Sequence, residues 1–179
     1  MYYIGQLCGL IGTGITIVQP QFKNKVHILI CTILVNGLNA LNFTLIGNAG
    51  ASTWLCMVAV VQAMVAIRHE RKNTPVTTLE NILFFLLYVG FGLYGMGVAN
   101  DFVWVLNLKT LLELLPIIGA LMLMLSVFAK GEQKTRFFLL LNGTAWLAYA
   151  AAVRATAFFT CVAAIVSALI AMVKYRKQV

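Results

Sequence analysis

Charged residues are scarce in this chain of 179 residues: they make up 10% of the sequence, whereas hydrophobic residues make up 61%. A soluble domain carries about 25% charged residues, so the composition excludes an ordinary soluble globular protein. Apolar stretches of roughly 20 residues match the hydrocarbon core of a bilayer, which is about 30 Å thick. The sequence therefore predicts an all-α membrane protein with almost no chain left for a domain outside the bilayer.

Residues that build metal and redox sites are also few. The two histidines lie far apart, and the four cysteines occur singly within apolar segments, without CxxC spacing. We interpret the cysteines as small buried side chains and expect no metal and no cofactor. The apolar segments contain no histidine–carboxylate pair and no Ser or Thr beside a plausible base, so we do not expect an enzyme.

Basic residues outnumber acidic ones by thirteen to five, and their distribution is uneven. If the apolar segments are seven helices, Lys109 and Arg154 fall on one rim and the other eleven basic residues on the opposite rim. The positive-inside rule then predicts an outer N-terminus and a cytoplasmic C-terminus. Because these residues are scattered over short loops and a tail, we interpret the net charge of +8 as a topology signal and expect no nucleic-acid partner.

Seven helices are predicted from the apolar segments. The first has no positively charged start and no cleavage signature, so we expect it to be retained as a span. Glu80 falls in the first turn of the fourth helix, where a carboxylate caps the positive end of the helix dipole. The predicted bounds are about Tyr2–Val18, Val26–Ile46, Ala51–Ile67, Thr78–Val98, Leu108–Ala129, Thr135–Val153 and Ala155–Val173.

The sequence predicts an internal repeat when it is aligned with itself at an offset of 106 residues. Asn36-Gly37 then falls on Asn142-Gly143, and one further residue of offset places Gly9-Leu10-Ile11-Gly12 on Pro116-Ile117-Ile118-Gly119. We predict a first three-helix unit in residues 1–72, a linking helix in 73–100 and a second three-helix unit in 101–179. One linking helix gives both units the same orientation, which is one of the repeat types that transporters use.

Glu113 is the only acidic residue placed well inside a predicted span. Burying a carboxylate in hydrocarbon costs at least about 2.5 kcal/mol, which makes it a candidate proton or cation site. A local ion pair with Lys109, four residues earlier, is the alternative. Pro116 removes a helix amide proton and matches Gly9 in the repeat, so both are candidate hinges.

Amide and aromatic side chains recur on two predicted helices. Asn36, Asn39 and Asn42 share one face of the second helix, and Asn142, Trp146 and Tyr149 share one face of the sixth. Such side chains suit a polar or flat solute, and we take Asn36, Asn39, Asn142, Trp146 and Tyr149 as candidate substrate contacts. Interhelical packing and outer-belt anchoring are the alternatives. Gln62, a lone polar residue on the third helix, is expected to form an interhelical bond.

Three segments resemble the YgjV-type bacterial inner-membrane proteins: Glu113 to Gly119, the turn Gly47 to Ser52, and the region of Trp146. That family is similar in its three-plus-one-plus-three plan to the SWEET, PQ-loop and PnuC-type transporters. The resemblance implies an inner-membrane location and transport of a small solute. The chain departs from those transporters at Pro20-Gln21, because the repeat positions Val127 and Phe128 lack a Pro-Gln pair.

We therefore expect a facilitator or an ion- or proton-coupled carrier that works by alternating access between two three-helix units. Its expected partners are the lipid bilayer and a small-molecule solute. The alternative is a non-transporting scaffold or receptor-like protein, in which the polar residues only stabilise helix packing.

Overall fold

The computed structural model describes residues 2–45, 51–99, 108–152 and 157–175. Within these ranges, it describes only the backbone of residues 51, 52, 99, 108–110, 113, 150, 152 and 157–160. The described residues contain seven α-helices, one short 3-10 turn and no strand. The helices are α1 Tyr2–Val18, α2 Lys25–Leu45, α3 Ala51–Lys72, α4 Thr78–Ala99, α5 Leu108–Phe128, α6 Glu132–Ala152 and α7 Ala157–Lys174, with the 3-10 turn at Gln19–Gln21. The all-helical prediction and the number of helices are confirmed.

The predicted end of the third helix is wrong, because α3 continues through the basic segment to Lys72. Arg, Lys and Glu are good helix formers, so their charge marks the border of the apolar segment and not the end of the helix. The helix stops at Asn73, which adopts a left-handed conformation with φ of 50°. Backbone bonds from Asn73 to Glu70 and from Thr74 to His69 complete a Schellman motif.

Helix α6 also departs from the prediction, since it begins at Glu132 and not at Thr135. Gly131, with φ of 84°, makes the turn before it. Glu132 then lies in the first turn, where a negative charge complements the helix dipole. Arg136, which the prediction placed at the very start of the helix, therefore lies one full turn after its first residue.

Helix α4 starts with the cap that was predicted for Glu80. The Glu80 carboxylate accepts a bond of 2.8 Å from the backbone N–H of Thr77, and the Thr77 hydroxyl accepts one of 3.2 Å from the backbone N–H of Glu80. This reciprocal pair is a capping box. His69 at the end of α3 lies 3.0 Å from the same carboxylate, so the cap also ties α4 to α3.

Six helices form a closed ring through their main contacts. Within each half of the chain neighbours pack in order, α1 on α2 and α2 on α3, then α5 on α6 and α6 on α7. Among the described helices, the main contacts between the halves are those of α3 with α5 and of α1 with α7, and the 3-10 turn also contacts α7. Helix α4 packs against both α3 and α5, beside their junction.

Small residues on α3 allow the helices at this junction to approach closely. Ala59, Ala63 and Ala66 recur at helical spacing, and none is more than 2% exposed. Such small-residue stripes are typical of helix packing inside membranes, where close van der Waals contact drives association. The core on either side of the stripe is formed by residues of α2, α4 and α5.

Gln62 connects three helices through its amide, as the sequence predicted. Its Nε2 donates a 3.0 Å bond to the carbonyl of Met124 on α5, and its Oε1 accepts a 2.8 Å bond from the Tyr88 hydroxyl on α4. Both Gln62 and Tyr88 are fully buried. A polar hub in an apolar core stays favourable only because each of its groups has a partner.

The outer surface of the helices is largely apolar, with exposed Leu, Ile, Val and Phe side chains on α1, α4 and α7 among others. Among the described residues, two helices are long and apolar enough to cross a membrane, Lys25–Leu45 and Thr78–Val98. Shorter apolar helical segments are Leu114–Phe128 and Cys161–Lys174.

Candidate functional site

Two asparagines of α2 lie against glycines of α1. A Cβ atom added to Gly9 would lie 2.7 Å from the Asn42 amide nitrogen, and one added to Gly12 would lie 3.3 Å from the Asn39 amide oxygen. The missing side chains therefore let both amides approach the α1 backbone. Gly9, a predicted hinge, has at least this packing role.

Asn36 occupies a different environment on the same helix. Its amide Nδ2 donates a 2.8 Å bond to the carbonyl of Thr32, one turn earlier, and the side chain is buried. This bond satisfies one of the two amide protons within α2 itself. The three predicted asparagines thus share a helix face but do not form a single cluster.

Helix α6 approaches α5 in a similar way. A Cβ atom on Gly119 would lie 3.0 Å from both Cδ1 and Nε1 of Trp146 and 3.4 Å from Oδ1 of Asn142. The Trp146 indole meets the Tyr149 ring edge-on, with centroids 6.0 Å apart. The structure therefore brings Asn142, Trp146 and Tyr149 together on one side of α6, at its crossing with α5.

The crossings of α1 with α2 and of α5 with α6 each involve a glycine. The predicted repeat pairs these two residues, Gly12 and Gly119, and each lies against the following helix. Gly12 lies against Val35, Leu38 and Asn39, and Gly119 against Asn142 and Trp146. With the predicted offset of 106 residues, Val35 and Asn39 fall within one residue of Asn142 and Trp146, whereas Leu38 falls on Thr144.

Two amide oxygens at these crossings accept no hydrogen bond from the described part of the protein. They belong to Asn42 and Asn142, and both are buried. A buried polar atom without a partner is rare and costly in a folded protein. Each oxygen therefore has an unused capacity to accept a hydrogen bond.

Helix α5 runs without interruption through Pro116, which is half-buried. Gly92 of α4 faces the next residue, since an added Cβ would lie 2.8 Å from Cγ1 of Ile117. The predicted proton or cation site, Glu113, and its alternative partner Lys109 belong to α5, but their side chains lie outside the described residues.

A second group of polar residues closes the basic end of the bundle, where α1, α3, α5 and α7 end and α2, α4 and α6 begin. Arg136 of α6 reaches the end of α1, where its guanidinium donates a 2.9 Å bond to the carbonyl of Pro20 and a 2.6 Å bond to that of Phe22. The side chain is 2% exposed, and its charge lies 4.7 Å from the centre of the Tyr175 ring. We call this set of contacts the Arg136 clasp.

The Arg136 clasp is reinforced by α7. The amide of Gln21 donates a 2.9 Å bond to the Ser167 hydroxyl and a 2.8 Å bond to the Ser167 carbonyl, and the Tyr175 hydroxyl donates a 3.0 Å bond to the Gln21 carbonyl. The 3-10 turn Gln19–Gln21 is therefore held from α6 and α7 at once. On its own side, Gln19 bonds the Thr32 hydroxyl at 2.7 Å.

Lys25, at the start of α2, makes the corresponding contact on the other side of the ring. Its ammonium group donates a hydrogen bond to the carbonyl of Ala129, directly after α5, and pairs with Glu70 in the last turn of α3. Its side chain is only 6% exposed. We call this set of contacts the Lys25 clasp.

The described residues form an apolar cleft and a polar cleft, among others. The apolar one, of about 450 Å³, lies between α3 and α4 beside Trp54, whose indole stacks on Phe91. The polar one, of about 500 Å³, opens at the basic end beside the Lys25 clasp. Neither is lined by the predicted substrate contacts.

Sequence reasoning missed both clasps. Lys25 and Arg136 were counted only as topology charges, and Pro20-Gln21 only as a departure from a family pattern. The predicted sixth helix already contained Arg136, but nothing in the sequence indicated that its guanidinium binds the backbone carbonyls of Pro20 and Phe22. In the described part of the chain, no three His, Cys, Asp or Glu residues lie close enough together to hold a metal ion.

Comparison with known proteins gives one result. Residues 3–179 match the family model Imp-YgjV, which describes a bacterial inner membrane protein. No curated protein and no solved structure matches the chain.

Proposed function

The chain belongs to the Imp-YgjV family of bacterial inner membrane proteins, and we propose that it transports a small polar solute across that membrane. All seven helices span the bilayer in this proposal, with the N-terminus outside and the basic end in the cytoplasm. The units α1–α3 and α5–α7 are parallel repeats joined by α4. They alternate between opening to the outside and opening to the cytoplasm, without catalysis.

The observation that carries the proposal is the reciprocity of the ring. In the proposed repeat, α1 corresponds to α5, α2 to α6 and α3 to α7. Exchanging each helix for its partner turns the contact of α3 with α5 into the contact of α7 with α1. These are the main helix contacts that join the halves of the chain. Two units related by an axis along the membrane normal give this pattern, and transporters place their substrate between such units.

The matching glycines support the same relationship. The predicted repeat pairs Gly12 with Gly119, and each glycine lies close to the following helix, α2 and α6 respectively. This packing supports the proposed correspondence of α1 with α5 and of α2 with α6. A scaffold needs no such correspondence, because nothing requires its two halves to move in equivalent ways.

The candidate solute contacts lie at these crossings. The Asn142 amide oxygen has no partner among the described residues and would accept a hydrogen bond from the solute. Trp146 and Tyr149 would provide aromatic surface beside it, and Asn36 and Asn39 would supply amides from the first unit. Glu113 would couple transport to protons or cations, and Gly9 and Pro116 would serve as flex points.

The experiment is uptake into liposomes that contain the purified protein, with sugars, nucleosides and vitamins as labelled solutes. We expect at least one of these classes to accumulate faster than in empty liposomes. Loss of that uptake in Asn142→Ala, with the variant still folded, would support the assigned site. If no class enters faster than in empty liposomes, and solute gradients leave the protein's conformation unchanged, the scaffold alternative replaces the proposal.

A further inference from the structure

The two clasps at the basic end occupy equivalent places in the two units. Arg136 of α6 donates to the carbonyl of Phe22, after the end of α1, and Lys25 of α2 donates to the carbonyl of Ala129, after the end of α5. Phe22 and Ala129 are paired by the same offset of 107 residues that pairs Gly12 with Gly119. In each case the second helix of one unit holds the end of the first helix of the other.

Each clasp also has a partner on the third helix of its own unit. Lys25 pairs with Glu70 in the last turn of α3, and Arg136 packs against Tyr175 directly after α7. The two basic residues themselves are not repeat partners, since Lys25 falls on Gly131 and Arg136 on Ile30. Each unit therefore supplies its basic side chain from a different sequence position, yet both side chains bind the end of the first helix of the other unit. This supports a role for the contact between the units.

The bonds in the clasps are suited to opening and closing. They join charged side chains to backbone carbonyls at helix ends, which water can also satisfy once the units separate. Both side chains lie at a rim, so opening returns their charges to solvent and does not leave them unpaired in the bilayer. Water cannot replace the hydrogen bonds of buried core residues such as Gln62 in this way.

We propose that the Lys25 and Arg136 clasps are the two halves of a cytoplasmic gate, and that the present conformation is closed on that side. This inference rests on the proposed transport function. Opening breaks the bonds from Arg136 to Pro20 and Phe22 and from Lys25 to Ala129, and frees the turn Gln19–Gln21 from Ser167. The path then reaches Thr32, which is buried, follows Lys25 by seven residues on α2 and is bonded to Gln19.

The test uses a cysteine at position 32 in a protein whose four native cysteines are replaced by alanine. The rate at which a membrane-impermeant maleimide reacts from the cytoplasmic side is measured in inside-out vesicles without solute. We expect about a tenfold faster reaction in Arg136→Gln or Lys25→Gln, the effect of one charged hydrogen bond, and a larger increase in the double variant. The control Arg71→Gln removes an exposed charge at the same rim and should leave the rate unchanged.

Unfolding is detected with a second reporter. Native Cys56, kept as the single cysteine, is buried on α3 and should stay unreactive in every variant. If it reacts in a glutamine variant, Arg136→Lys becomes decisive, because it keeps the charge but loses the two-pronged contact. An unchanged rate at position 32 in the folded variants overturns the gate.

The gate and the transport proposal fail in different ways. Faster reaction at position 32 with no solute uptake in any assay counts against transport. Solute uptake with an unchanged rate at position 32 counts against the gate alone.

Discussion

The hydroxyl of Tyr88 on α4 lies 2.8 Å from the amide oxygen of Gln62 on α3, and both side chains are fully buried. The same Gln62 amide bonds the carbonyl of Met124 on α5. The Gln62 side chain thus joins α3 both to α4 and to α5. The contact anchors α4 where the two halves of the chain meet.

A double-mutant cycle on Gln62→Leu and Tyr88→Phe should give a coupling energy of about 0.6 kcal/mol, and at most about 1.7 kcal/mol, as for other hydrogen bonds inside membranes. Each single variant leaves one buried group unpaired, whereas the double variant removes both. The measurement is the free energy of unfolding in detergent micelles. Exposed Gln6→Leu serves as the control, and additive losses in the cycle would contradict the hub.

Gly92→Ala should destabilise the packing of α4 on α5. Its Cβ would meet Cγ1 of Ile117 at 2.8 Å, and relieving such a clash in a packed core costs about 1–3 kcal/mol. Gly90→Ala is the matched control on the same helix, because nothing lies within 4 Å of its added Cβ. That variant should be neutral or gain up to ~1 kcal/mol of helix propensity. Equal stabilities for the two variants would disprove the described contact.

Asn142→Ala should reduce solute uptake about tenfold, because it removes an amide oxygen that we assign to the solute. The control is Thr144→Ala on the same helix, whose exposed hydroxyl bonds only the nearby carbonyl of Leu141. Initial uptake rates in liposomes, normalised to folded protein, make the comparison. Equal rates in the two variants would remove Asn142 from the site.

Glu113→Gln should abolish the pH dependence of uptake and leave the protein folded in the membrane. A carboxylate inside a span is costly, and proton or cation binding is the function that we propose for it. Glu132→Gln, at the start of α6, is the control for loss of an acidic charge. Uptake that keeps its pH dependence in Glu113→Gln would end the coupling proposal.

Much of the fold could be predicted, because apolar segments of bilayer length leave few alternatives to helices. The capping role of Glu80 and the interhelical role of Gln62 also followed from local chemistry. The ends of α3 and the start of α6 did not, since Arg68 to Lys72 and Glu132 to Lys134 are hydrophilic yet favour helix. The charged residues mark where each apolar segment ends, but α3 and α6 extend beyond those points.

The clasps could not have been predicted from side-chain patterns. Arg136 and Lys25 bind backbone carbonyls more than 100 positions away, and every residue carries such a carbonyl. Only the packing of α1 on α7 and of α3 on α5 brings those carbonyls within reach. The asparagines were visible in the sequence, but their division between two helix crossings depends on Gly9, Gly12 and Gly119.

The central claim is that the two units move against each other, and it can be tested before the solute is known. Spin labels are placed in the cysteine-free protein on exposed residues, one pair at Lys72 and Lys134 on the basic end and one at Tyr3 and Leu111 on the opposite end. Distance distributions are then measured in lipid, with and without the Lys25→Gln and Arg136→Gln changes together. We expect these changes to lengthen the distance at the basic end and to shorten it at the opposite end. Distributions that stay unchanged at both ends, or that shift in the same direction, would contradict the central claim.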